Sequence, residues 1–170
     1  SSVWLQSFNY PDVAYWVWRS GSFGDQAVFL DGNYTNGTAA AGIPDFSALK
    51  AVGFNYIAPP MQMLLQASGD QYAASEYATE AKAAGMHTIT GTLERSGPLG
   101  SGGGWYYGTT NNMTNNDGDM LEMVHVLNEE VGVKGIFSDW PATTTFYANC
   151  MMNKVAGCTT PTPASIPVRM

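Results

Sequence analysis

Short runs of apolar, β-branched and aromatic residues alternate along the chain with stretches in which apolar positions recur every three or four residues. Periods of two and of about 3.6 succeed one another, as they do in βα units. Val3 to Phe8, Gln26 to Leu30, Phe54 to Ala58, Met86 to Thr92 and Val133 to Ser138 read as strands. Pro11 and Asp12 open a helix through Val13, Trp16 and Val17, a short helix runs from Pro44 to Val52, and an Ala-rich one from Ser75 to Ala84. Gly53 and Gly85 follow the last two, where a residue tolerating positive φ ends a helix. Asp119 and Glu122 have the spacing of a capping box, ahead of an apolar face formed by Met120, Met123, Val124, Leu127 and Val131. Pro141 opens a last helix through Phe146 and Tyr147. The alternation predicts the α/β class with a twisted parallel sheet. Periodicity alone does not separate an open doubly wound sheet from part of a barrel.

Two loops and a tail interrupt this order. Asp31 to Gly42 is rich in Gly and Asn, and Leu93 to Asn116 carries Gly100, Gly102, Gly103 and Gly104 ahead of Trp105, Tyr106 and Tyr107. Loops of that length are usually either functional or disordered. Beyond Cys158 the segment 159–170, with Pro161, Pro163 and Pro167, is too proline-rich for regular structure. One domain over 1–158 and an irregular tail follow from this division, and no internal repeat is evident.

Composition narrows the surroundings. A chain of 170 residues that is 45% hydrophobic is long and apolar enough for a core of its own. Seven basic against fourteen acidic residues leave a formal charge of −7, which disfavours nucleic acid and anionic membranes as partners. The apolar runs fall far short of the roughly 20 residues of a transmembrane helix. Charged residues make up 12%, against about 25% in ordinary soluble domains, so the surface leans on Asn, Thr, Ser and Gly, or on sugar. Asn-x-Ser/Thr triplets begin at Asn33, Asn36 and Asn112, each in a stretch that reads as an exposed loop. They favour a secreted glycoprotein; chance occurrence in an Asn- and Thr-rich chain is the alternative. Cys150 and Cys158 are spaced for a small disulfide loop, or stand as two unpaired thiols, and two cysteines alone do not make a structural zinc site. The chain opens at Ser1 without an initiator Met, as expected of a processed or truncated product, so its first residues say nothing about export.

Several familiar chemistries find no support. The glycines at 100–104 lack the spacing of a dinucleotide fingerprint and the Gly-Lys-Ser/Thr of a P-loop, and no Gly-x-Ser-x-Gly elbow occurs. His87 and His125 lie far apart without carboxylates at metal-ligand spacing and read as structural. Asn115, Asn116, Asp117 and Asp119 depart from the EF-hand pattern, and capping of the following helix accounts for both aspartates.

Four separated segments, taken in order, carry more information. Trp4-Leu5-Gln6-Ser7-Phe8, Tyr56-Ile57-Ala58-Pro59-Pro60, Thr90-Gly91-Thr92-Leu93-Glu94-Arg95 and Gly135-Ile136-Phe137-Ser138-Asp139-Trp140-Pro141 resemble the C-terminal half of the glycerophosphodiester phosphodiesterase family, from Val3 to about Cys150. The resemblance implies the C-terminal portion of a (β/α)₈ TIM barrel whose first strands are absent from this chain, the full domain being about 250 residues. It implies a hydrolase of lipid metabolism that releases glycerol 3-phosphate and an alcohol with the help of a divalent metal, Ca²⁺ or Mg²⁺. The family's two acid–base histidines and its acidic metal ligands belong to the first four strands, and none of those motifs occurs here. Alone, then, the chain is expected to be inactive, because phosphodiester cleavage needs a cation and proton-transferring groups.

What the resemblance leaves to this half is the substrate pocket at the carboxyl ends of the strands. Gln6, Phe8, Glu94, Arg95, Trp105, Tyr106, Asp139 and Trp140 are the candidates. Phe8 and Trp140 would wall the glycerol moiety, and Arg95 would meet phosphate or a glycerol hydroxyl. Against this stand plain alternatives: Phe8 as core, Glu94 and Arg95 as a solvated ion pair, Asp139 as a helix cap, and the Trp105 to Tyr107 tip as packing on the rim. Gly91 departs from the family, which usually has a bulky aromatic there, and enlarges the pocket if the sequence is taken at face value. The expected partners are the missing N-terminal half, attached or as a separate chain, and a small glycerophosphodiester. A catalytically silent half-barrel that pairs with itself through its open edges is the competing expectation.

Overall fold

In the computed structural model, residues 3–33, 42–93, 104–116 and 118–152 are described, apart from the side chains of Trp105 and Met152. The proline-rich tail therefore lies outside the described residues. Five short strands form one sheet, β1 Gln6–Ser7, β2 Val28–Leu30, β3 Tyr56–Ala58, β6 His87–Gly91 and β7 Gly135–Phe137, and every neighbouring pair is parallel. Their spatial order is their order in the chain, β1-β2-β3-β6-β7. The register pairs Gln6 with Val28, Val28 with Tyr56, Tyr56 with His87, and Ile89 with Gly135. An α/β protein with a parallel sheet is thus observed, as the alternating pattern predicts. The strands are shorter than predicted, and Gln26 belongs to a 3-10 turn, Gly21–Gln26, instead of to β2.

Helices connect the strands, and local chemistry fixes most of their ends. Helix α1, Tyr10–Arg19, starts behind an extended Asn9 with Pro11 in its first turn and buries Val13 and Ala14. Helix α2, Phe46–Val52, is capped by Asp45, whose Oδ1 accepts from the Ala48 N–H at 2.9 Å, and stops at Gly53 with φ 106°. Helix α4, Glu76–Ala83, is capped by Ser75, and Gly85 follows at φ 72°.

Helix α5, Asp119–Val126, departs from expectation. Gly118, already in helical conformation, occupies the cap position, so no extended residue stands ahead of the first turn to present a capping oxygen. The Asp119 carboxylate instead accepts from the backbone N–H groups of Asn115 and Asn116, at 2.7 and 3.1 Å, and the predicted capping box does not form. Asp117 lies outside the described residues. One π-helical turn, Leu127–Val131, prolongs α5, and α6, Ala142–Tyr147, begins after Pro141.

Between Pro60 and Ser75 the hydrophobic pattern predicts nothing, yet the chain forms a short helix α3, Met61–Leu64, and a hairpin of β4, Leu65–Ser68, with β5, Gln71–Ala74. Its two-residue turn is Gly69-Asp70, with Gly69 at φ 62°. That turn signal is present in the sequence. The alternation around it is not, because only Leu65 and Tyr72 are buried in the eight strand residues.

The two faces of the sheet are unequal. Side chains on a strand alternate between faces, so Ile57 points away from its neighbours Tyr56 and Ala58. Ile57 joins the large core cluster, to which all six described α-helices contribute, among them Val13, Phe46, Met61, Tyr77, Met123 and Tyr147. Val28, Ala58 and Ile89 form a separate small cluster on the other face, with Leu30 and Tyr56 against it and no helical residue. All described helices therefore lie on one side.

Candidate functional site

The carboxyl ends of all five parallel strands open on one cavity of about 590 Å³. Gln6 and Phe8 reach it from β1, Leu30 and Asp31 from β2, Ala58 and Pro59 from β3, Gly91 and Thr92 from β6, and Phe137 and Asp139 from β7. The parallel register makes this possible, since it brings the five strand ends to a common level.

Of the predicted pocket residues, Gln6, Phe8, Tyr106 and Asp139 line this cavity. Phe8 is 70% exposed, which removes the alternative that it is core. Asp139 does not cap α6: no side chain caps that helix, and Pro141 occupies the cap position. Trp140 is 60% exposed and is not among the lining residues; Phe137, two residues inside the strand alternation, takes the wall position instead. Glu94 and Arg95 lie outside the described residues, as do Asn36 and Cys158, and nothing is described of the Trp105 side chain. Tyr107 is fully buried and donates to the Leu93 carbonyl at 2.6 Å, which anchors the aromatic tip.

Gly91 has a structural reason. A Cβ built there would stand 3.1 Å from both the Cβ and the carbonyl oxygen of Phe137, so a side chain at 91 displaces the β7 wall. The peptide joining Gly91 to Thr92 is cis. Thr92 Oγ1 is buried without a hydrogen-bond partner among the described residues and belongs to a residue lining the same cavity, leaving a hydroxyl for a ligand or water to satisfy.

Asp31 is the residue that pattern reading passed over. It is 1% exposed at the end of β2, where its Oδ2 accepts from the Tyr77 hydroxyl at 2.7 Å and its Oδ1 from the Asn33 N–H at 3.0 Å. Burial first, and then the Asp31 charge, push the Tyr77 phenol far above its ordinary value, so it stays a donor at any physiological pH. Asp31 looks like loop punctuation in sequence, because its partner Tyr77 is 46 positions away.

His125 Nδ1 lies 2.9 Å from the Tyr147 hydroxyl and ties α5 to α6, while His87 is packed against Tyr56 at a centroid distance of 5.0 Å. No group of three or more His, Cys, Asp or Glu able to hold a metal ion occurs among the described residues. Asp31 already serves two donors, Tyr77 and the Asn33 amide, and with Asp139 makes no group of three ligands among the described residues, so these residues do not fit a divalent cation. Asn33 and Asn112 are exposed, as glycan acceptors need to be. Cys150 is disulfide-bonded.

No family profile matches the chain. It is 40% identical over 153 residues to an "Extracellular protein" of Arthroderma benhamiae, an alignment that takes in 87% of this chain and 62% of that relative. The chain thus spans less than two thirds of the relative's length. No helix among the described residues is long and apolar enough to cross a membrane. Like the relative that it matches over most of its length, the protein is extracellular.

Proposed function

We propose that this chain is the substrate-pocket sector of a secreted glycerophosphodiester phosphodiesterase, a (β/α)₈ barrel closed by a further segment that carries the metal and the acid–base groups. The observation that carries the reading is the common cavity at the carboxyl ends of five parallel strands in sequential order, with every described helix on the opposite side of one face. A doubly wound sheet reverses its strand order and covers both faces with helices. A barrel does neither.

The flanks support the same reading. At the β1 side Phe8 and Tyr15 are exposed, and at the β7 side Phe137, Trp140 and Phe146 are. Large aromatics on both edges of one sheet are what a closing segment would cover. That segment is the expected partner, joined to the chain or separate. It would supply the Ca²⁺ or Mg²⁺ site, and the metal would neutralise charge on the phosphate. The described half would hold the rest of the substrate, with Thr92 Oγ1 and Gln6 among the polar groups of a wall that Phe8, Leu30, Pro59 and Phe137 make partly apolar. Glycerol 3-phosphate and an alcohol would be the products.

The exposed edges equally favour one second reading, a silent half-barrel that associates with its own copy. Two measurements separate them. Co-expressing the chain with an N-terminal barrel half and adding Ca²⁺ or Mg²⁺ is expected to release glycerol 3-phosphate from glycerophosphodiesters; a completed, soluble assembly that releases none overturns the enzyme reading. Light scattering on the chain alone showing a defined, inactive homo-oligomer favours the second.

A further inference from the structure

Of the three sequons, the one at Asn112 has both its asparagine and its hydroxyl residue among the described residues. The two have opposite surroundings. Asn112 is exposed, whereas Thr114, whose hydroxyl makes the triplet a sequon, is only 6% exposed. Met113 between them packs against the large core cluster.

The Thr114 hydroxyl is engaged both as donor and as acceptor. Its single proton goes to the Thr110 carbonyl at 2.9 Å, so the Tyr72 hydroxyl, 3.1 Å away, is the donor in their contact. Burial raises the Tyr72 phenol above its ordinary value, and that donor keeps its proton. The backbone is held as well. The N–H groups of Met113 and Thr114 both donate to the Thr110 carbonyl at 3.0 Å, and the Met113 carbonyl accepts from Asn115 Nδ2 at 2.8 Å. Just upstream, Thr109 Oγ1 donates to the Gln62 carbonyl at 2.9 Å and ties the loop to α3.

Sugar transfer to asparagine requires a hydroxyl two residues on, so a transferase has to read the Thr114 oxygen as well as the Asn112 amide. In the fold, reaching that oxygen means detaching Thr114 from Thr110 and Tyr72 and lifting Met113 off the core. The nascent chain offers the same triplet without that cost.

We propose that Asn112 carries an N-linked glycan that is attached only before the loop 107–116 docks, so that folding closes the site to modification. The co-reactant is an oligosaccharide linked to a lipid diphosphate, which an extracellular protein meets during export. A bond forms between Asn112 Nδ2 and the first sugar carbon while the bond from that carbon to the diphosphate oxygen breaks. The lipid diphosphate leaves with the electron pair, and Nδ2 gives up one proton. The glycan then stands on the loop whose Tyr106 lines the cavity. None of this depends on the phosphodiesterase reading.

The whole chain is translated into transferase-bearing microsomes, and in parallel the folded, unmodified chain is given solubilised transferase and donor. An Asn-Ala-Thr triplet appended after Met170 reports transferase activity in both. Peptide mass spectrometry is expected to find Asn112 modified in the first case and, relative to the appended triplet, at least about tenfold less in the second. Tyr72→Phe removes the donor to Thr114 and is expected to raise occupancy on the folded chain about threefold or more. An unmodified Asn112 from the microsomes overturns the proposal and leaves Thr114 a purely structural residue. So does modification of the folded chain to within about threefold of the nascent one, or a folded chain indifferent to Tyr72→Phe. If Tyr72→Phe does not fold, the comparison on the unsubstituted chain decides alone.

Discussion

The two faces of the central sheet are made by the same strands and have opposite fates. Ile57 and Tyr56 are neighbours on β3, yet Ile57 is sealed under helices while Tyr56, among the described residues, packs with the strand residues Val28, Ala58, Ile89 and His87 and with Trp4, whose ring stands 4.7 Å from it. Burial on one side comes from local βα succession, in which each crossover helix folds back over the strands it joins. On the other side nothing in the described residues completes the cover. The covered face therefore supplies stability, and the bare face, with its rim of strand ends, supplies the site.

That division is open to direct attack. The largest effect is expected on the covered face: Ile57→Ala should cost about 2–5 kcal/mol in denaturant unfolding, because the residue is fully buried among packed neighbours. Phe137→Ala on the bare face, 36% exposed, should cost under about 1.5 kcal/mol in the chain alone. Equal costs would mean that the bare face is covered after all.

Tyr77→Phe bridges the two regions. Removing its hydroxyl leaves Asp31 short of one of its two described donors and should cost about 1–3 kcal/mol, and the loss should shrink when Asp31→Asn is already present. Additive losses in that cycle would show that the pair is not coupled. Gly91→Ala forces a methyl against Phe137 and should cost about 1 kcal/mol or more, with the change in near-ultraviolet dichroism confined to aromatics of the rim.

The smallest effect concerns pH. Burial, and then the charges of Lys134 and Lys50, hold His87 below the ordinary imidazole value. The unfolded chain therefore takes up a proton that the folded one resists, so this group's contribution is level above about pH 6.5 and turns destabilising as pH falls below it. His87→Gln should make the melting temperature fall less between pH 7 and pH 5.5. An unchanged fall would exclude His87 as its source.

Legibility followed the range of the interactions involved. The ends of α2 and α4 were readable from Gly53 and Gly85, both at positive φ, because a glycine stop is a matter of one residue's own backbone. So were the five parallel strands, since both periods sit within a few residues. Asp31 and Phe137 were not singled out: one depends on a tyrosine from α4, the other on five strands ending at one level. Trp140, chosen from sequence for the wall, misses the cavity because the chain has left β7 and turned toward α6 by then. The capping box at Asp119 failed for a local reason, the glycine before it already being helical.

By itself, the sequence determined the five parallel strands and most of their crossover helices, a formal charge of −7, and sequons and cysteines fitting an extracellular life. Those properties depend on spacing and composition, which survive in any conformation. Only the tertiary structure decided that the helices share one face, that five strand ends meet around one cavity, and that Asp31 is buried at its edge against Tyr77. These depend on which distant residues approach one another, and a linear pattern does not encode that approach one residue at a time.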